Sequence, residues 1–214
     1  MDVSITNQNK DRERILTFAT QKFHKEGFYK TSMDEISRDL CVSKKTIYKY
    51  FPSKENLLEE ICNYTTKEIY GAVECIVDGD GNVVNKFVKL LSMYSNYTLN
   101  ISDKWLNDLK VHHPHILKNI DEKRTEKINS ILSKLIKQGK KEKLIENFPT
   151  NIIISIFINS ISSVLQPEFL INNNFTMQNA FKITYEMLLS GILTDSGKKI
   201  FNKEKKILAK EIKL

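Results

Sequence analysis

The sequence predicts an all-α protein, and three observations carry that expectation. Chain breakers are scarce: 214 residues contain 7 Gly and 4 Pro, too few for the many turns of a sandwich or barrel. Hydrophobic residues make up 41% and charged residues 28%, a balance that fills a core and excludes a disordered chain. Apolar residues recur at helical spacing along most of the chain. Neither G-x-G-x-x-G nor G-x-x-x-x-G-K occurs, which excludes the phosphate-cradling loops of doubly wound nucleotide-binding folds.

Each element follows from local signals. A first helix is expected from about Lys10 to Glu26, with Ile15, Phe18, Ala19 and Phe23 on one face and Gly27 as its stop. Thr31 and Ser32 each precede an acid by three residues, the spacing of an N-cap, and open a short helix from Met33 to Leu40. Cys41-Val42-Ser43 interrupts the periodicity. Ser43 is a good N-cap for a third helix, Lys44 to Tyr50. Phe51-Pro52 ends it, because the residue before Pro disfavours the α region. Ser53 opens a long helix through about Ile76, with Leu57, Leu58, Ile61, Tyr64, Ile69, Ala72 and Val73 as its apolar members.

Asp78 to Asn82 is the clearest loop. Helical patterns follow at about Val84–Leu99, Asp103–Val111, Pro114–Gly139, Pro149–Leu165 and Thr176–Leu193. Pro167 and the run Asn172-Asn173-Asn174 mark a loop between the last two. Lys198 to Leu214 is a basic segment with Ile200, Ile207, Leu208 and Ile212 as apolar members, expected to act as a solubilising face.

The net charge is 33 basic minus 26 acidic residues, or +7. Residues 1–60 contribute +1, residues 61–197 contribute +1, and residues 198–214 contribute +5. The total is thus mostly the tail. A local cluster is more telling: Cys41 to Lys54 holds Lys44, Lys45, Lys49 and Lys54 and no acid. Cys41, Cys62 and Cys75 form no C-x-x-C pair, so free buried thiols in a reducing compartment are expected. No secretory h-region opens the chain. The longest apolar stretch, Ile152 to Leu165, is interrupted by Ser155, Asn159, Ser160, Ser162 and Ser163 and falls short of a membrane span. A cytoplasmic protein without a membrane partner is expected.

Two short helices joined by a tight turn, with a preceding helix across them, make a helix-turn-helix plan. Ile36, Leu40, Val42, Ile47 and Phe51 can close its small core against the first helix. The remaining face of the third helix then carries Lys44, Lys45, Tyr48 and Lys49. A Lys can donate to guanine O6 and N7, and a Tyr ring can pack on a thymine methyl. Thr31 and Ser43 lie at helix N-termini, where backbone N–H groups favour phosphate. Lys54 lies in the first turn of the long helix, where a cation disfavours the helix and would serve a phosphate.

The stretch T-S-M-D-E-I (31–36) through V-S-K-K-T-I-Y-K-Y-F-P-S-K-E-N-L-L (42–58) resembles the DNA-binding domain of the TetR/AcrR family, whose members are dimeric, ligand-responsive transcriptional regulators. The likeness covers about Lys10 to Leu58, and V-S-x-x-T-x-Y-x-Y-F with S-K-E-x-L-L is its most specific part. It implies an N-terminal three-helix helix-turn-helix domain, residues 1–52, and a C-terminal helical ligand-binding and dimerisation domain, residues 53–214. It implies base contacts from Lys44, Lys45 and Tyr48. Phosphate contacts are implied for Thr31, Ser43, Thr46, Lys49, Tyr50 and Lys54. The family often has Ala, Ala and Gly where this chain has Ser37, Leu40 and Cys41. A Cys at a turn position that needs positive φ costs about 1 kcal/mol.

The two late helices are apolar around much of their circumference, with Ile152, Ile153, Ile156, Phe157, Ser160, Ile161 and Val164 on the first. Phe181, Ile183, Tyr185, Met187, Leu188, Leu189 and Ile192 crowd the second. Such helices are buried in a core or an interface, and the resemblance implies a four-helix homodimer interface. By composition, Phe87, Met93, Tyr94, Tyr97, Trp105, Leu109, Ile128 and Phe157 are candidates for an effector pocket. His112-His113-Pro114-His115 lacks the spacing of H-E-x-x-H, and its Pro marks a joint between helices. No metal and no cofactor is expected from it. G-x-S-x-G is absent, and no catalytic residues are assigned. The expectation is a sequence-specific DNA-binding regulator, not an enzyme. It is a homodimer on a double-stranded operator and a repressor released by a small molecule. The alternative is a DNA-binding factor without small-molecule control.

Overall fold

The computed structural model describes residues 3–99 and 102–211. Among these the secondary structure is helical, with one isolated antiparallel bridge between Ile145 and Leu193. The helices are α1 (Val3–Glu26), α2 (Met33–Asp39), α3 (Lys44–Tyr50), α4 (Lys54–Asp78), α5 (Val83–Leu99) and α6 (Asp103–His112). They continue with α7 (Pro114–Lys141), α8 (Thr150–Val164), α9 (Pro167–Asn172), α10 (Met177–Ile192) and α11 (Asp195–Glu211). The chain divides into two compact units, Met1–Gly71 with Asn100–Asp121, and Ala72–Leu99 with Glu122–Leu214.

The first unit is organised around one apolar cluster. Ile15, Ala19 and Phe23 of α1 meet Ile36 and Leu40 around α2, Ile47 and Phe51 around α3, and Leu57, Leu58 and Ile61 of α4, all buried. Val42 is partly buried against the same cluster. The core expected for the three-helix plan is therefore present. The unit also takes in α6, which packs on α1. Trp105 lies 6.4 Å from the Phe23 ring and 5.8 Å from the Phe28 ring, and its edge meets His24 at 4.8 Å.

The turn after α1 shows why Gly27 is required. Its φ is +81°, and a Cβ there would lie 2.6 Å from Asp108 Oδ2. That carboxylate accepts hydrogen bonds from the backbone N–H groups of Phe28, at 2.8 Å, and Tyr29, at 2.9 Å. A residue in α6 thus secures the loop that leads into α2.

In the second unit α5 packs against α10 and α11, and α8 packs against α10. Tyr185 of α10 is buried and donates its hydroxyl to the Phe87 carbonyl at 3.0 Å. Its ring also neighbours Phe157 and Phe181. Burial raises its phenol pKa above the ordinary value. Lys86 is buried as well, and its Nζ donates to the Val77 carbonyl at 2.8 Å and to Gln138 Oε1 at 3.0 Å.

Several expectations change. α1 starts at Val3, before its apolar periodicity begins. The loop between α8 and α10 contains α9, and Pro167, read as a breaker, is the first residue of that helix. Pro suits this position because its missing N–H has no intrahelical partner there. The basic tail is not merely a solubilising face. It forms α11, with Phe201 buried and Ile200 half-buried, against α5. A Cβ at Gly197 would fall 2.4 Å from the Leu144 carbonyl oxygen, so the start of α11 needs Gly to approach that backbone. Ile212 lies outside the described residues, as does the side chain of Leu208. Of the three cysteines only Cys62 is buried, which pushes its thiol pKa up to about 12; Cys41 and Cys75 are exposed.

Candidate nucleic-acid interface

The candidate interface is built from the first unit alone. Ser32 and not Thr31 is the N-cap of α2, its Oγ accepting from Glu35 N at 3.1 Å. Leu40 is the C-cap of α2, and Arg14 from α1 donates to its carbonyl at 3.1 Å. Cys41 follows with φ +56°, the left-handed conformation expected of a turn Gly. Ser43 then caps α3, its Oγ accepting from Thr46 N at 3.0 Å and lying 2.8 Å from Thr46 Oγ1. Only Ile47 of α3 is buried, so the short helix is anchored on one side and open on the other.

Charge fixes α2 against α1. Lys22 reaches Asp39 at 2.8 Å, Glu35 at 3.0 Å and Glu26 at 3.2 Å. Its hydrogen bond to Asp39, with those to Glu35 and Glu26, outweighs burial and raises its pKa above the ordinary lysine value. The same contact holds the Glu35 carboxyl below its ordinary value. Arg12 pairs with Glu60 and lies over the Phe51 ring at 5.4 Å, tying α1 to α4.

Each expected contact residue now has a place. Ser43, Lys44, Lys45, Tyr48 and Lys49 are exposed on α3 or at its start, and Tyr48 is 46% exposed. Thr46 is half-buried. Tyr50 is half-buried against the core, with Lys49 Nζ 5.2 Å from its ring centre. Thr31 is buried and donates its hydroxyl to the Gly27 carbonyl at 2.9 Å, so it stabilises the loop rather than facing solvent. Lys54 folds over the Phe28 ring and donates to the Tyr29 carbonyl at 2.8 Å. Its partial burial lowers its pKa, opposed by the Asp108 and Glu35 charges.

The acid-free run from Cys41 to Lys54 is not acid-free in space. Asp34 of α2 pairs with Lys44. Sequence separation hides this contact, although both residues stand near facing helix starts. Lys45 and Lys49 therefore carry more of the open positive face than Lys44 does.

The eight expected pocket residues divide between the two units. Trp105 and Leu109 belong to the first unit's core. Phe87 and Phe157 are buried in the second unit, where Met93, Tyr94, Tyr97 and Ile128 are half-buried. Tyr94 packs on Phe181 with ring centres 3.7 Å apart. Phe181 and Tyr185 thus join this aromatic group, a role that their expected place in an interface had concealed.

Comparison with known proteins agrees with this geometry. Residues 15–61 match the family model for bacterial regulatory proteins of the tetR family. An uncharacterized HTH-type transcriptional regulator of Bacillus subtilis, YvaF, is 26% identical over 184 residues, 86% of this chain and 96% of that protein. The fold is shared with a transcriptional regulator of Cytophaga hutchinsonii, with a TM-score of 0.66 at 21% identity over 85% of this chain and 98% of that one. It is shared too with a regulator of Saccharomonospora viridis solved in complex with choline, with a TM-score of 0.66 at 13% identity over 87% of this chain and 99% of that one. Among the described residues no helix is long and apolar enough to cross a membrane. A Ser-capped helix with a cationic, Tyr-bearing face, set on a buried three-helix core, falls within residues 15–61, the part of the chain that matches the tetR-family model, so this part is a helix-turn-helix DNA-binding domain of the tetR type.

Proposed function

We propose that the chain is a homodimeric repressor that binds a pseudo-palindromic operator through residues 1–52 and is released by a small molecule bound within residues 53–214. The observation that carries the DNA-binding part is the α3 face: Lys45, Tyr48 and Lys49 are exposed on a helix whose opposite side, Ile47, is fully buried. Lys45 and Tyr48 read base edges, joined by Lys44 when its pair with Asp34 opens. Ser43, Thr46, Lys49, Tyr50 and Lys54 contact phosphates. A bidentate or methyl-packing base contact discriminates by about 1–3 kcal/mol.

Dimerisation is supported by apolar residues that the single chain leaves open. Ile152 and Ile156 of α8 are 52% and 50% exposed, and Ile183 and Met187 of α10 are 48% and 69% exposed. They stand four residues apart on two helices that pack together. Such exposed apolar surface marks an interaction site, and a helix-turn-helix dimer reads two half-sites about 34–36 Å apart or a multiple of that spacing. An effector is supported by the aromatic group of Phe87, Tyr94, Phe157, Phe181 and Tyr185, and by a protein of the same fold that was solved with choline. Release by ligand follows family likeness, and a ligand shifts DNA affinity only by its unequal affinity for the two forms.

The test is selection of DNA sites by the purified protein, followed by titration of the enriched site with variants. Tyr48→Ala and Lys45→Ala are expected to weaken that site by about tenfold or more, with dimerisation unchanged. Lys54→Ala is expected to weaken all sequences alike and to reduce the salt slope by about one. Wild-type affinity in both α3 variants overturns the reading.

A further inference from the structure

We infer that Glu55, His113 and His115 form a binding site for a first-row divalent transition metal, with zinc the best match. The inference stands on side-chain geometry and does not depend on the reading of the DNA interface. Sequence spacing alone discounts the histidines, because H-H-P-H lacks the spacing of H-E-x-x-H. The fold sets a carboxylate beside two of them. Glu55, in the first turn of α4, faces the joint between α6 and α7, and the three ligand atoms lie within 4.8 Å of one another.

Three observations point to a cation rather than to a plain ion pair. His113 Nδ1 is buried and has no hydrogen-bond partner, although Glu55 Oε1 lies 3.3 Å away. A buried nitrogen without a partner is costly, and a metal would satisfy it. The donors are two imidazoles and a carboxylate, the set used in open zinc sites and poorly suited to calcium or magnesium, which take oxygen ligands. Tetrahedral ligands about 2.0–2.1 Å from zinc stand roughly 3.3 Å apart. The His113–Glu55 separation already has that value, so His115 needs to close by at most about 1.5 Å.

The backbone is suited to hold the first ligand still. The N–H of His113 donates to the Leu109 carbonyl at 3.0 Å, its carbonyl accepts from Ile116 N at 3.0 Å, and Pro114 restricts the backbone of His113 before it. The Phe28 ring packs 5.3 Å from the imidazole and the His115 ring 5.7 Å from it. Glu55 and His115 are exposed, which gives an ion access and leaves a coordination position for water or a further ligand. His112 is the built-in control: it stacks flat on Tyr29, ring centres 3.9 Å apart, and belongs to no such cluster. A bound ion would staple the first turn of α4 to the α6–α7 joint.

The experiment titrates tag-free, chelator-treated full-length protein with ZnCl2 by calorimetry, with thermal melts in parallel. Expected are one ion per chain and a raised melting temperature, both retained in His112→Ala. Glu55→Gln, His113→Ala and His115→Ala are each expected to weaken binding by at least about tenfold. Circular dichroism of the metal-free variants checks that each is folded, and the conservative Glu55→Gln keeps the test valid should a histidine variant unfold. An absence of zinc binding by the wild type overturns the site. So does wild-type affinity in Glu55→Gln or in either folded histidine variant.

Discussion

Asp108 is the residue whose removal tests most directly how the first unit is held together. Its Oδ2 accepts from two consecutive backbone N–H groups, those of Phe28 and Tyr29. A hydrogen bond to a charged group contributes about 1.5–3 kcal/mol, and a donor left buried without a partner forfeits a similar amount. Phe28 is buried and Tyr29 is exposed. In Asp108→Ala the Phe28 N–H therefore bears the full cost, while the Tyr29 N–H regains water at a cost of about 0.5–1 kcal/mol. The sum is about 2–4 kcal/mol. Asp108→Asn keeps one neutral acceptor and should lose about half of that. The readout is built in: Trp105 is the only tryptophan of the chain and lies buried beside Phe23 and Phe28. Urea unfolding followed by its fluorescence reports the first unit, while circular dichroism reports the whole chain. A midpoint shift worth less than about 0.5 kcal/mol in the Ala variant, or an Asn variant as damaged as Ala, would refute the claim that this carboxylate organises the loop.

Two further outcomes follow from buried and strained groups. His24 is buried beside Trp105, and burial pushes its pKa from 6.5 down to about 4. The unfolded chain then binds a proton that the folded chain refuses, so stability should fall as pH drops from about 6.5 to about 4, by up to about 3 kcal/mol. His24→Leu should flatten this part of the pH profile of the urea midpoint, and an unaltered slope would assign the loss elsewhere. Cys41 is exposed at φ +56°. Cys41→Gly relieves about 1–2 kcal/mol of left-handed strain and adds about 0.5–1 kcal/mol of unfolded-chain entropy. Thermal melts should show a net gain of about 0.5–1 kcal/mol, and a loss would show that the thiol makes a contact worth more than the strain.

What could be read from the sequence, and what could not, divides by distance along the chain. The bounds of α3 were legible because both of its ends are set locally, by the Ser43 cap and by Pro52 after Phe51. The core of the first unit was legible because periodicity marks which residues turn inward, whatever they meet. The short α9 was not, since six residues are too few to show a period and Pro167 signals a helix start as readily as a stop. Nor was α11, where charge hides Phe201 as the residue that docks it.

The remaining gaps are choices of partner, and local pattern carries no such information. Lys44 is one residue among several lysines until the fold sets Asp34 beside it. Asp108 and the loop it secures are about eighty residues apart, and Glu55 is nearly sixty from His113. Trp105 is a pocket candidate on composition alone, which ranks it as a large aromatic and does not say against what it packs. The fold seats it in the core under the recognition unit. The same limit applies to α8 and α10. Their sequences mark both helices as apolar nearly all round, without telling the face that closes the chain's own core from the face that stays open. The structure separates Ile153 and Phe157, which are buried, from Ile152 and Ile156, which are not. That open face is the surface on which the proposed partner copy would dock.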